Sequence, residues 1–412
     1  MTAASIARGF WNGGLGRSVA AVRVEEREPG GDDGAALGRR HRFLAYEPAL
    51  DGLRGVAIAG VLAFHAFAAS GIDAVRGGFL GVSLFFTLSG FLITSLLLRE
   101  RDVTGGNDWQ RFWARRIRRL APAALVVVAV VIVASGPFAV LHARTADAVA
   151  ATWSVTNWHI IAAGEARILQ TVVGPLGPTW SLAVEEQFYV GLVVLVVLAM
   201  RTGAPRRVLA AVCALGWVVP VALTNLVSGW HPSLEFGTWA RAPELFAGVA
   251  LALWVTGARP PRLGPAQGDA VAGLGLAVLV LLMLFVSYDP PWLLRGGYGP
   301  VGIVSAVTLL GAMSRGRVAV ALSNRPLVAL GAVSYSLYLV HWPVILIVDE
   351  DRTALHGWAL AAVRIVVALA VAAVLHVAVE RPIRRLQVPW RPTFATWLAA
   401  GGILTVAAIL ML

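Results

Sequence analysis

Apolar runs about twenty residues long recur along the whole chain, and they constrain its fold more than any motif does. A helix needs a run of that length to cross a hydrocarbon layer, where every backbone polar group must find its partner within the protein. The sequence predicts eleven such spans, at about 55–72, 78–98, 120–141, 179–200, 206–227, 239–257, 269–288, 299–314, 328–348, 357–379 and 394–412. The expected fold class is therefore all-α: a polytopic membrane helical bundle with ten core transmembrane helices and one C-terminal helix. Composition agrees. Of 412 residues, 58% are hydrophobic and 14% charged, against roughly a quarter charged in a soluble domain.

The stretch 149–163, "VAATWSVTNWHIIAA", is shorter and more polar, and reads as interfacial or re-entrant. Residues 1–45 mix Arg, Glu, Asp, Gly and Ala with no apolar h-region, which reads as a mobile cytoplasmic tail and not a signal peptide. Residues 46–386 form the expected membrane domain, and 387–412 an additional helix. The lone cysteine, Cys213, lies in an apolar run and excludes an internal disulfide.

All 34 basic residues are arginine, and the formal charge is +11. Absent lysine beside abundant Ala, Gly, Val and Arg points to a GC-rich bacterial genome. In a soluble chain this charge would suggest nucleic acid. Here the arginines sit between apolar spans, so no nucleic-acid partner is expected, and the bias toward cytoplasmic loops sets the topology. With the N-terminus in the cytoplasm, 27 of the 34 arginines fall in cytoplasmic segments and 7 elsewhere. Eleven spans then put the C-terminus outside. The expected location is a bacterial inner (plasma) membrane, with lipid as its surroundings.

Against that background the polar residues within spans stand out, because ionisable groups at membrane depth mark sites or pathways. Arg54 opens the first span. His65 follows eleven residues later, about 16 Å along a helix. The second span, "GGFLGVSLFFTLSGFLITSLLL", has small faces at Gly78, Gly81, Ser83, Ser89 and Gly90 that permit close helix approach. The loop "DWQRFWARRIRRLAP" brings Arg111, Arg115, Arg118 and Arg119 near one helical face, with Arg116 beside them. Arginine forks suit phosphate oxygens, but Trp and Arg together also suit simple anchoring at an interface. A Walker-type loop is absent, which excludes a P-loop NTPase.

Glu185 and Glu186 sit in the fourth span, pointing about 100° apart, so at most one is expected to face a given cavity. Arg241 and Glu244 are placed for a local ion pair in the sixth. Tyr335, Tyr338 and His341 lie in the ninth, and Glu380 at the end of the tenth. On the expected topology two layers result. Arg54, Arg115, Arg116, Arg119 and Glu380 are inner; His65, Glu185, Glu244 and His341 are outer. The eight histidines show no ligand-like spacing, so no metal is expected.

Six stretches together resemble the acyltransferase-3 family of integral membrane acyltransferases. They are Arg54–x10–His65, "GGFLGVSLFFTLSGFLIT", "RRIRRLAP", "WSLAVEEQFY", "SYSLYLVHWP" and "VERP", in family order over about 46–386. The resemblance implies transfer of an acyl group, often acetyl from acetyl-CoA, to a hydroxyl of a cell-envelope glycan or a glycosylated metabolite. It carries essential roles onto Arg54 and His65, and the arginine-rich motif onto Arg115, Arg116 and Arg119.

The expected roles follow. The arginines hold the acyl-CoA on the cytoplasmic side. His65 serves as general base or acyl relay, with Glu185 or Glu244 orienting its ring. Trp180, Ser181, Tyr335 and His341 are candidate substrate-binding residues. Many relatives continue past an eleventh span into an extracytoplasmic SGNH hydrolase-like domain. This chain ends at Leu412, so that domain is expected to be naturally absent or removed. The alternative function is a transporter or flippase of a lipid-linked or glycosylated substrate, with the polar groups lining an alternating-access path. No convincing repeat between the two halves favours it.

Overall fold

The computed structural model describes residues 46–136, 141–164, 174–227, 229, 231–288 and 290–412. The expected tail, 1–45, lies outside them. The described residues form helices and no strand. Nine helices among them are long and apolar enough to cross a membrane, or ten if one bent pair counts as a single span. The molecule is a multi-pass helical membrane bundle.

The long helices run in chain order. They begin with α1 (Pro48–Ala69), α2 (Gly81–Thr104) and α3 (Trp109–Ala134). Two short helices follow, α4 (Thr145–Thr152) and α5 (Thr156–Ala162). Then come α6 (Thr179–Met200), α7 (Pro205–Thr224), α8 (Thr238–Val255), α9 (Pro265–Phe285) and α10 (Tyr298–Ala312). The bent pair is α11 (Arg325–Ala332) and α12 (Ser334–Ile347). Last are α13 (Gly357–Leu375) and α14 (Trp390–Met411).

Three differences from the sequence reading matter for the site. The third span does not begin at 120 but at Trp109, so the arginine cluster rides on the first turns of a spanning helix and not on a loop. Asp108 caps that helix by accepting from the Arg111 N–H at 2.9 Å, which satisfies one of its free first-turn donors. The ninth span is broken by 70° between α11 and α12. The sixth, α8, is helical but is not among the nine apolar enough to span alone; it carries Arg241 and Glu244, and its lipid-incompatible face is buried against α2, α7 and α10. The stretch 149–163 forms α4 and α5, too short to cross, with Ser154 at a positive φ of 55° between them.

Helices α1, α2 and α8 form the centre, and small residues set their spacing. A Cβ on Gly90 of α2 would stand 2.1 Å from the Leu245 carbonyl oxygen, and one on Gly248 of α8 would stand 2.0 Å from that of Thr87. Without a water-driven hydrophobic effect between spans, such close contact is what holds membrane helices together. Gly90→Ala gains helix propensity but forces the two backbones apart. We expect a net loss of about 1–3 kcal/mol, read as a lower melting temperature in detergent; an unchanged melt would mean that the crossing adapts at no cost.

Outward faces are apolar, as lipid requires. Val190, Val194 and Leu198 line one side of α6 at 50–53% exposure.

Candidate active site

Three guanidinium groups surround one small cavity of about 90 Å³: Arg54 from α1 and Arg116 and Arg119 from α3. The helix register explains the convergence, since Arg116 and Arg119 are one turn apart on the face that meets the core. Arg54 donates to the Ser334 hydroxyl at 3.2 Å and lies 3.7 Å from Asp51. Arg116 stacks on the Tyr189 ring, 3.2 Å from its centroid. Its guanidinium lies 3.6 Å from Glu185 and 3.7 Å from Glu186. Arg119 makes no hydrogen bond or ion pair with any described residue. Glu380 is the carboxylate that acts on it from further off, against Arg54, Arg116 and Arg384, and a permanent cation outnumbered by like charges inside a membrane bundle calls for an anion.

Arg115 and Arg118 do not join this group. Arg115 lines neither this cavity nor the larger one beside it. Arg118 donates to the Thr393 hydroxyl at 3.2 Å and to the Val388 carbonyl, which ties α3 to the start of α14.

The remaining sequence candidates separate into three places. Glu185, expected in an outer layer beside His65, instead pairs with Arg116 and accepts from the Ser89 and Tyr189 hydroxyls. The two expected layers therefore touch. Both Glu185 and Glu186 line the larger cavity, contrary to the expectation of one, and the Arg116 guanidinium lies within 3.7 Å of both.

Glu244 is fully buried and bonded twice by Arg241, at 2.6 and 3.0 Å. Arg241 also reaches the Ser83 hydroxyl at 3.3 Å and lies 3.7 Å from the Tyr298 ring centroid. Trp180 packs edge-to-face on Phe236 and Phe86 and lines neither cavity. Glu244 and Trp180 thus belong to the packing between α2, α6 and α8.

His65 meets His341. Their rings lie 4.9 Å apart, with Trp342 at 5.4 Å and Phe64 at 4.9 Å from His65. Neither Glu185 nor Glu244 bonds to His65. What fixes its ring is its own helix: Nδ1 donates to the Val61 carbonyl at 2.9 Å. His341 does likewise, from Nδ1 to the Tyr338 carbonyl at 2.7 Å. In a neutral ring the nitrogen donating to a carbonyl carries the one proton, so both Nε2 atoms then hold bare lone pairs. Both Nε2 atoms are buried and without a partner among the described residues. Two acceptors cannot satisfy each other; each calls for a proton donor.

Tyr338 connects the two halves. It lines the arginine cavity, and its ring lies 5.5 Å from that of His341. Its hydroxyl is 2.6 Å from Ser181, which lines the same cavity, and donates to the Pro178 carbonyl at 3.0 Å. Tyr335 anchors α12 to α3 by donating to the Leu120 carbonyl at 2.6 Å. At the Arg54 end, Glu380 accepts from Ser336 at 2.8 Å and pairs with His376 at 2.9 Å. Sequence reasoning missed Ser334 as the partner of Arg54 and Tyr338 as the link to the histidines; both lie in the "SYSLYLVHWP" stretch. Among the described residues no group of three or more His, Cys, Asp or Glu could hold a metal.

A family model described as an acyltransferase domain matches residues 47–379. Two Staphylococcus aureus proteins named O-acetyltransferase OatA, from strains NCTC 8325 / PS 47 and COL, are each 33% identical to this chain over 318 residues, covering 74% of it and 51% of the relative. A protein of S. aureus strain MSSA476 with O-acetyltransferase in its name is 35% identical over 323 residues, covering 74% and 52%. The chain spans about half the length of the curated relatives it matches. No solved structure matches it significantly.

Proposed function

The chain belongs to the acyltransferase-3 family, and on that premise we propose that it is a membrane O-acyltransferase moving an acyl group, acetyl first among them, from cytoplasmic acyl-CoA to a hydroxyl of a cell-envelope glycan or glycosylated metabolite. The observation that carries this reading is Arg119, without a direct bond, beside Arg54 and Arg116 in a cavity lined by Tyr338, whose ring lies 5.5 Å from that of His341. The arginines bind anionic oxygens of the donor. The pantetheine arm runs past Tyr338 toward the histidines, a distance of the order of the 16 Å of helix between Arg54 and His65.

The bare Nε2 of His65 then takes the proton of the acceptor hydroxyl. The oxygen attacks the thioester carbonyl, the C–O bond forms and the C–S bond breaks. The leaving thiolate receives the proton from the imidazolium. His341 Nε2 accepts from a second hydroxyl of the acceptor. The proposed setting is a bacterial plasma membrane with the Arg54 end of α1 on the cytoplasmic side, which the arginine distribution supports. The proposed domain is 46–386, with α14 as an addition.

The test is donor binding. Arg119→Ala should weaken acetyl-CoA binding to the purified protein by about tenfold or more, the value of one or two charge-assisted hydrogen bonds, without lowering its melting temperature. Equal affinity in wild type and variant would remove the cavity from donor recognition and return the arginines to membrane anchoring.

A further inference from the structure

A second cavity of about 500 Å³ adjoins the first, and Arg116, Leu120, Leu182, Glu185 and Tyr335 line both. Its volume is that of a small-molecule site. Its walls are unequal. One side is aromatic and belongs to α14, where Trp390, Phe394 and Trp397 recur at helical spacing and line the cavity. These rings form a built surface: Trp390 stacks on Phe394 at 4.8 Å, and Trp397 meets Trp153 edge-on at 5.7 Å. Trp153 is itself fixed by donating to the Thr405 hydroxyl at 3.1 Å.

The polar residues of the lining are mostly occupied already. Gln187 spends its amide on Ser154, Asn157, Trp158 and Thr238. Glu185 is held by Arg116, Ser89 and Tyr189. Glu186 is not. It makes no hydrogen bond with any described residue, and its ion-pair contact is Arg116 at 3.7 Å. Two carboxylates share one guanidinium, so the polar end is a net acceptor with an excess negative charge.

We propose that this cavity binds the acyl acceptor as an uncharged hydroxylated amphiphile, a sugar or polyol on an apolar chain. The chain lies along Trp390, Phe394 and Trp397, and a hydroxyl donates to Glu186. This rests on the proposed acyltransferase reading and narrows its acceptor. The hydroxyl held by Glu186 is not the reacting one, since His65 and His341 line neither cavity; the shared wall of Arg116 and Tyr335 sets the bound head group beside the donor cavity. An anionic head would be repelled by the carboxylates, and a long polar glycan strand would leave the aromatic wall unused.

The experiment uses the full chain in lipid nanodiscs, with octyl glucoside carrying a diazirine on its alkyl chain as photoprobe. Acetyl-CoA-dependent acetylation of octyl glucoside and of free glucose is measured alongside. We expect labelling at 390–397, competed by octyl glucoside but not by octyl glucuronide. Phe394→Leu with Trp397→Leu sits on a helix whose window is only 11% buried, so the fold tolerates it; labelling should fall about tenfold, the effect of losing stacked aromatic surface. Glu186→Gln should weaken competition by octyl glucoside by a similar factor. Labelling equal to that of a sugar-free alkyl diazirine, and insensitive to Glu186→Gln, would mean that bilayer chains fill the cavity, and would overturn the proposal. So would acetylation of glucose as efficient as that of octyl glucoside with no label at 390–397, although transfer itself would then stand. Absence of both transfer and acetyl-CoA binding would instead strike the acyltransferase reading.

Discussion

Replacing His65 with alanine or glutamine is expected to lower acyl transfer by about 10²–10⁴-fold, the range for loss of a positioned general base. Acetyl-CoA affinity should stay near wild type, because the arginine cavity does not include His65. Glutamine is the sharper variant. Its amide can still donate to the Val61 carbonyl and fill the space against Phe64 and Trp342, yet it has no basic lone pair. CoA release from radiolabelled acetyl-CoA, measured with a mixture of envelope glycans and alkyl glycosides, reads the effect. Turnover by His65→Gln within a few fold of wild type would take His65 out of the chemistry, whatever happened to His65→Ala.

Much of this architecture is legible in the amino-acid sequence. Period and length expose the spans, and the Arg54–His65 spacing singles out the first of them. Sequence shows the cation for Glu244, because Arg241 stands at i, i+3, but not the one for Glu185, which lies equally within the first turns of an apolar helix and has no arginine at helical spacing. Their roles diverge because Arg116 arrives from α3 at Glu185, whereas Arg241 is Glu244's own neighbour at i, i+3. The break at Val333 is equally hidden. No proline marks it, and "GAVSYS" reads as a continuous helix by composition. The His65–His341 contact pairs residues of α1 and α12, which periodicity along one helix does not address.

Glu244→Ala is expected to act on the fold, not the reaction. Arg241 and Glu244 are 2% and 0% exposed, and removing one partner leaves the other as an uncompensated buried charge, at a cost of about 3–5 kcal/mol. The variant should express poorly and melt well below wild type. Replacing both, as Arg241→Met with Glu244→Leu, removes the stranded charge and should recover most of the stability, and turnover with it. If the double variant folds like wild type but transfers nothing, the pair has a chemical part that its geometry does not suggest. If Glu244→Ala melts normally, the ion pair adds nothing to α8 packing.

The break between α11 and α12 leaves a helix start deep inside the protein. Val333 supplies no side-chain cap there, and the first residues after it, Ser334 and Tyr335, line the arginine cavity. The aligned peptide dipoles of α12 place about half a positive charge at that point. The anion proposed at Arg119 would therefore be attracted by main chain as well as by side chains, and no substitution of an arginine would erase the main-chain share. Straightening the span would.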